Sequence, residues 1–507
     1  MKPHASRFTH YVLRFTLYAS RLPRDLLVAL LLACALTLFL PSLGGYFLSD
    51  DFVLLTWTRV ASVGEVAGFF DPGTFWFYRP MVKVVYWLGQ SIFGLRAAPF
   101  HLFSLVLHWL NAYLVYRLIA RQKDTRWVAG LAAALLFLLN AHHAETISWI
   151  AAIGDLIAAC CTLSALILFQ RYLEGHSALS LVASVALFAL GLLSRETAMM
   201  LPALLLLSLL VLPGEGSESR AAVPLSRLAT AFAAYAAVLL GYLAVQLLGR
   251  TSTQAVLGRG GLQFRALNLD SILLAIMDYA HGLVPGGSLL AQLPLDALRV
   301  VVWFEWLAVL VLAVALWRVG YRLALFGLLW LLLTPLLFIF FSGPSDRYFY
   351  LPSIGYAIFV AALLIALLAW VRKRLPQLHI PARVTAGILI AALLLFQAVD
   401  LLARENNWRI AGQATGGVFN DIRQAIPAPR DYSAFYFVDL PMFLNGVPTF
   451  QNAVQEGVQL IFDNDTIAAS AVTCDYLRQQ PELPRYSFFF RFKGDGVQQI
   501  PGVAECR

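Results

Sequence analysis

The chain has 507 residues, of which 60% are hydrophobic and 13% charged, against about 25% charged residues in a typical soluble domain. That composition excludes an ordinary globular enzyme and describes a polytopic membrane protein. The formal net charge of +8 is spread over short loops instead of lining one groove, so it is a topology signal and does not point to nucleic acid.

In chain order, residues 1–25 carry Lys2, Arg7, Arg14, Arg21 and Arg24 ahead of the apolar stretch "LLVALLLACALTLFL". No small-x-small cleavage site follows, so an uncleaved first span with a cytoplasmic basic flank is expected. Apolar runs of spanning length then fall at 26–43, 100–120, 127–144, 147–170, 178–194, 197–213, 223–248, 299–317, 323–342, 351–371 and 382–402. The stretch 262–290 is apolar but holds Asp270, Asp278 and His281. Leaving it in the outer interface keeps Arg318, Arg322 and the run Arg372–Lys373–Arg374 cytoplasmic, as the positive-inside bias requires. An α-helical membrane domain over 26–402, of about eleven helices, is therefore expected, with the N-terminus inside and the C-terminus outside.

Residues 403–507 read as a separate extracytoplasmic domain. "RENNWRIAGQATGGVFNDIRQAIP" predicts one or two amphipathic helices, and "AFYFVDL", "VQLIF" and "YSFFFRF" predict strands between Pro, Gly, Asn and Asp boundaries, giving a small α/β or mostly β lobe. Cys34, Cys160 and Cys161 fall in spans, as small buried hydrophobes. Cys474 and Cys506 lie in the tail, where an oxidising compartment would permit a disulfide between them.

The unusual polar residues concentrate on the expected outer side. The first outer loop, 44–99, opens with "LSDDFVLL" and so places Asp50 and Asp51 directly after the first span. The turn "NAHHAETISWIAAIGD" (140–155) brings His142, His143, Glu145 and Asp155. "LLSRETAMMLP" brings Arg195 and Glu196, and "SGPSDRYFYLPSIGY" (342–356) brings Asp346 and Arg347. Taken singly, such residues are ordinary solvated loop charges, Arg195 and Glu196 being able to pair with each other. Asp155, two to three turns into a span, is costly in lipid and argues for a polar cavity or a paired charge. Guanidiniums suit phosphate by their planar fork, and a carboxylate within reach suits a hydroxyl nucleophile. The combination fits group transfer from a phosphate-linked lipid to a hydroxyl acceptor, although position alone does not choose this over transport.

Four segments carry a resemblance: "FYRPMVKVVYWLGQSIFGLRAAPFHLFSLVLHWLNAYLVYRLI" (77–119), "HHAETISWIAAIGDLIAA" (142–159), "LLSRETAMMLPALLLL" (192–207) and "SDRYFYLPSIGYAIFVA" (345–361). In order and spacing they resemble the membrane half of the tetratricopeptide-containing transmembrane O-mannosyltransferases and, more broadly, the GT-C superfamily of polyprenyl-phosphate-sugar-dependent glycosyltransferases. The resemblance implies an inverting transfer of a monosaccharide such as mannose to a hydroxyl of a protein Ser/Thr, a lipid or a glycan, with polyprenyl phosphate leaving. It implies that Asp50 or Asp51 is the catalytic base, Asp51 being slightly favoured. Arg79, Arg195 and Arg347 become the candidates for the donor phosphate, and His142, His143, Glu145, Asp155, Glu196 and Asp346 those for sugar or acceptor. "HHAE" lacks a zinc spacing, so no cofactor is expected and a divalent cation is not favoured. The repeats of ~34 residues that mark the animal relatives do not appear in 403–507, which puts a protein acceptor in doubt. The alternatives from other classes are a lipid-linked-sugar flippase, although no duplication between halves is visible, and a catalytically silent scaffold.

Overall fold

The computed structural model describes residues 23–60, 62–72, 78–121, 127–175, 177–212, 224–248, 269–283, 294–338, 345–451, 453–480 and 482–503. Among these, seven helices are long and apolar enough to cross a bilayer: Arg24–Gly44, Ala97–Ala120, Ile150–Gly175, Leu225–Leu247, Ala297–Val319, Asp346–Val371 and Gly387–Ala425. Shorter apolar helices occupy Trp127–Leu138, Ala178–Leu192, Glu196–Val211, Ser271–Leu283 and Arg322–Leu337. Each stretch expected to span thus contains one of these helices among its described residues. The described part of 262–290 is a helix of 15 residues, Leu269–Leu283, rising roughly 22 Å at 1.5 Å per residue, which is short of a ~30 Å hydrocarbon core.

The helices sort by what surrounds them. Ile150–Gly175 is enclosed by the others, whereas Ala297–Val319 is peripheral and exposes Trp303, Phe304, Leu307, Leu310, Val311 and Val314. Those side chains recur at helical spacing, as a lipid-facing stripe does. The helices Arg322–Leu333 and Tyr350–Arg374 cross at Gly327 and Gly355, where a Cβ on Gly355 would stand 2.5 Å from the Leu331 nitrogen and 2.8 Å from the Gly327 oxygen. Only glycine permits that approach.

The loop 44–99 is itself largely helical among its described residues, with Asp50–Trp57, a 3₁₀ stretch Val63–Phe70 and Pro80–Phe93. The expected boundary at 403 is not a break in structure, because one helix of 47 residues, His379–Ala425, runs through it. Its apolar first part becomes polar without a helix breaker, so the membrane helix carries on as the stalk of the lobe. Gly412 lies against the first loop, a Cβ there meeting the Tyr46 nitrogen at 2.9 Å.

The lobe is α/β. Its sheet has the order β4-β1-β5-β6, formed by β1 (Ala434–Val438), β4 (Ala468–Val472), β5 (Ser487–Phe492) and β6 (Val497–Ile500). β4 and β5 lie parallel to β1, and β6 antiparallel to β5. A hairpin of β2 (Phe443–Leu444) and β3 (Val447–Pro448) stands apart from it. "AFYFVDL" and "YSFFFRF" supply β1 and β5, but "VQLIF" does not form the expected strand. It ends the helix Val454–Phe462, whose buried residues Val454, Gly457, Val458 and Ile461 repeat every three to four positions, and that periodicity outweighs the β-preference of Val and Ile. Cys474 is disulfide-bonded, while Cys506 lies outside the described residues.

Candidate active site

The acid pair sits at the start of the helix Asp50–Trp57, where carboxylates meet the positive end of the helix dipole. The preceding Ser49 has φ +45° and ψ −118°, a left-handed-side conformation that is costly for a residue with a Cβ. Its N–H donates to Thr449 O at 2.8 Å, so the lobe holds the strained residue in place.

The two carboxylates have different surroundings. Asp51 is fully buried and accepts hydrogen bonds from Leu48 N–H (2.8 Å), Tyr86 O–H (2.7 Å) and Ala151 N–H (2.7 Å). Burial lifts its pKa from 3.8 to about 7, against the opposing pull of those three donors, with Asp50 adding a smaller upward push. Asp50 is half-buried.

The three arginines expected at a phosphate form one charged cluster, and all three act on Asp155. Arg79 holds Glu196 through Nε and Nη2, at 3.1 and 2.8 Å. Arg195, 4% exposed, has its Nε 3.1 Å from Asp155 Oδ1 and 3.8 Å from Glu196. Arg347 lies over the Trp149 ring, 4.6 Å from its centroid, with its Nε 3.8 Å from Glu145. Glu145 also accepts from Ser345 Oγ at 2.5 Å, and burial raises its pKa against the pull of Arg347 and Ser345.

A second group adjoins the first. Asp346 accepts from Arg404 and sits 2.8 Å from His142 Nδ1, whose other ring nitrogen is 2.7 Å from Gly282 O. His142 is stacked on Phe349 with centroids 4.4 Å apart.

A cleft of about 530 Å³ opens where the outer turns meet the lobe. Its membrane-side wall carries Glu145, Trp149, Ser345, Asp346 and Arg347. The stalk supplies Arg404, Asn407 and Trp408, and the hairpin supplies residues 443 and 445–448, followed by Gln451. The acid-pair segment stands directly behind this wall, since Trp149 Nε1 donates to Leu48 O at 3.3 Å and Ala151 N–H bonds Asp51.

Of the residues singled out in the sequence, Glu145, Asp346 and Arg347 line the cleft. Arg79, Asp155, Arg195 and Glu196 form the charged cluster around them, and His142 braces Asp346. Neither Asp50 nor Asp51 is a lining residue. His143 does not join the site, because it is fully buried against Phe137, His108 and Tyr350 and bonded to Ser353 at 2.9 Å. Sequence reasoning missed Arg404, Asn407 and Trp408. The signal available was the polar run "RENNWR" continuing an apolar helix without Pro or Gly.

The crystal structure of ArnT from Cupriavidus metallidurans bound to undecaprenyl phosphate covers 92% of this chain and 92% of its own, with TM-score 0.50 and 15% identity. The chain has the GT-C fold. A family model for dolichyl-phosphate-mannose-protein mannosyltransferases matches residues 78–242, a stretch that holds Arg79, Glu145, Asp155, Arg195 and Glu196. The Drosophila melanogaster protein O-mannosyl-transferases Tmtc1 and Tmtc2 are 28% identical over 128 residues and 32% over 136. Each match takes 25% of this chain but only 15% and 14% of those relatives' length. In the GT-C fold described here, Asp346, Arg347 and Arg404 thus lie beyond the stretch matched by the family model.

Proposed function

We propose that the chain is a membrane glycosyltransferase that moves a monosaccharide from a polyprenyl-phosphate-linked donor to a hydroxyl acceptor on the extracytoplasmic side. The observation that carries this reading is the convergence of two guanidiniums, Arg347 and Arg404, on one cleft whose rear wall is bonded to the acid-pair segment. The family model and the lipid named with ArnT support a polyprenyl-phosphate donor. The relatives' names favour mannose as its sugar.

In this reading the acceptor oxygen attacks the anomeric carbon with inversion as the carbon–phosphate-oxygen bond breaks. Arg347 and Arg404 stabilise the negative charge that grows on the departing polyprenyl phosphate. Asp50 takes the acceptor proton. The three donors on Asp51 suit a carboxylate that fixes the loop, and the half-buried Asp50 beside it is assigned the base. A second assignment of the base has its own support. Glu145 is one of two carboxylates that line the cleft, and its pKa is raised, as suits proton transfer near neutral pH.

Purified protein in lipid nanodiscs, given a panel of polyprenyl-phosphate monosaccharides with a membrane extract as acceptor, tests the reading. Product from wild type and its loss in Asp50→Asn supports it, and loss confined to Glu145→Gln moves the base. Bound donor that is never cleaved, but crosses the bilayer in vesicles, would establish a transporter instead.

A further inference from the structure

We infer that the acceptor is a carbohydrate hydroxyl, held on the lobe side of the cleft by Trp408, Asn407 and Gln451. The inference rests on the transferase reading and names its acceptor class.

The cleft has two chemically distinct walls. Every charged residue that lines it, Glu145, Asp346, Arg347 and Arg404, lies on the outer turns or on the first turn of the stalk beyond residue 403. The rest of the stalk contribution and the whole lobe contribution, Asn407, Trp408, residues 443 and 445–448, and Gln451, is uncharged. An occupant that fits both meets paired guanidiniums and carboxylates at one end and neutral hydrogen-bonding groups at the other. A volume of about 530 Å³ lies within the range of small-ligand sites.

The neutral wall offers a ring and carboxamides. Trp408 is only 8% exposed, yet its indole N–H makes no hydrogen bond among the described residues, whereas Trp149 donates its own to Leu48 O. Trp408 lines the cleft, and an indole N–H ordinarily finds a partner, so this one is a donor available to a ligand. The two rings lie 6.1 Å apart at 31°, and Arg347 covers Trp149, which leaves Trp408 as the indole beside the neutral wall. The side chains of Asn407 and Gln451 likewise make no hydrogen bond among the described residues. Asn445 is set aside because its φ of +50°, with Gly446 at +81°, makes it a turn residue of the hairpin. Carboxamides both donate and accept, as sugar hydroxyls do, and the apolar C–H face of a pyranose matches an indole face.

The step balances as a transfer between oxygens. The acceptor hydroxyl oxygen bonds the anomeric carbon, the carbon–phosphate-oxygen bond breaks with its electron pair on polyprenyl phosphate, and the hydroxyl proton goes to the carboxylate base.

The test uses the full chain in nanodiscs with two acceptor sets, neutral pyranose oligosaccharides and glycan-free Ser/Thr peptides. Donor binding and donor cleavage by water are followed separately. Transfer to the oligosaccharides, with KM for them raised tenfold or more in Trp408→Ala and several-fold in Gln451→Ala, is the expected result. Gln451 is exposed, so its substitution reports on the cleft even where loss of the larger Trp408 unfolds the stalk. Transfer to the peptides alone, or oligosaccharide KM unmoved in folded Gln451→Ala and Asn407→Ala, overturns the inference while leaving the transferase intact. Failure to bind or cleave any donor removes the transferase reading itself, and oligosaccharide binding read from tryptophan emission then decides the acceptor wall independently.

Discussion

The backbone N–H of Ser49 donates to the carbonyl of Thr449 at 2.8 Å, across 400 positions of sequence. This one bond joins the residue that precedes the acid pair to the strand-end that follows the cleft hairpin. The lobe is therefore part of the site's architecture, not an appendage to the membrane domain.

Ser49 pays for this position with backbone strain at φ +45°. Its hydroxyl is buried without a partner among the described residues, so removing the side chain loses no bond. Ser49→Gly is expected to raise the melting temperature, by an amount corresponding to ~1 kcal/mol, with transfer activity retained. Thermal unfolding monitored by far-UV circular dichroism checks this, and a lower melting temperature would show that the side chain packs favourably.

Asp50 and Asp51 are expected to separate stability from activity. Asp51→Asn turns an amide N–H₂ toward at least one of three buried donors, at a cost of ~1–3 kcal/mol for an unsatisfied group, and so lowers the melting temperature. Asp50→Asn should leave it near wild type and abolish transfer. The paired measurements of unfolding and turnover would refute the assignment if the two variants exchanged behaviours.

The pH dependence of stability has a defined sign. With the Asp51 pKa near 7 in the folded chain and near 3.8 when unfolded, the folded state binds the extra proton between those values. This group's contribution is greatest below about pH 4 and is lost as pH rises towards 7. A series of unfolding curves should show wild type losing more stability over that window than Asp51→Asn, and parallel curves would count against the shift.

Arg404 holds Asp346 and lines the cleft. Arg404→Ala is expected to raise the donor KM at least tenfold, and Arg404→Lys to restore only part of the loss, because an ammonium lacks the planar fork. Steady-state kinetics with varied donor reads both, and full rescue by lysine would reduce the role to simple charge.

Glu405 is 2% exposed, and among the described residues its side chain accepts from Ser148 Oγ alone, at 3.0 and 2.9 Å to the two oxygens. A buried carboxylate with so little support is costly, so Glu405→Gln is expected to be neutral or stabilising by ~1–2 kcal/mol. Loss of activity with gained stability would mean that the charge is kept for function.

Much of this protein was legible from residues alone. Runs of apolar side chains must become helices in lipid, since backbone polar groups there have no water to bond, and the basic loops "RKR" and Arg318–Arg322 set a preferred side. The clustering of Asp50, Glu145, Arg195 and Arg347 on turns at one side of the membrane was expected from those same spans. What tertiary structure alone decided was which of those charges share a cleft, how differently two adjacent aspartates are surrounded, and that a helix crossing residue 403 brings Arg404 and Trp408 to the site. Hydropathy is a local property that fixes what each segment becomes. Burial, pairing and pKa depend on segments hundreds of positions apart, as Ser49 and Thr449 are, and no periodicity along the chain encodes which of them meet.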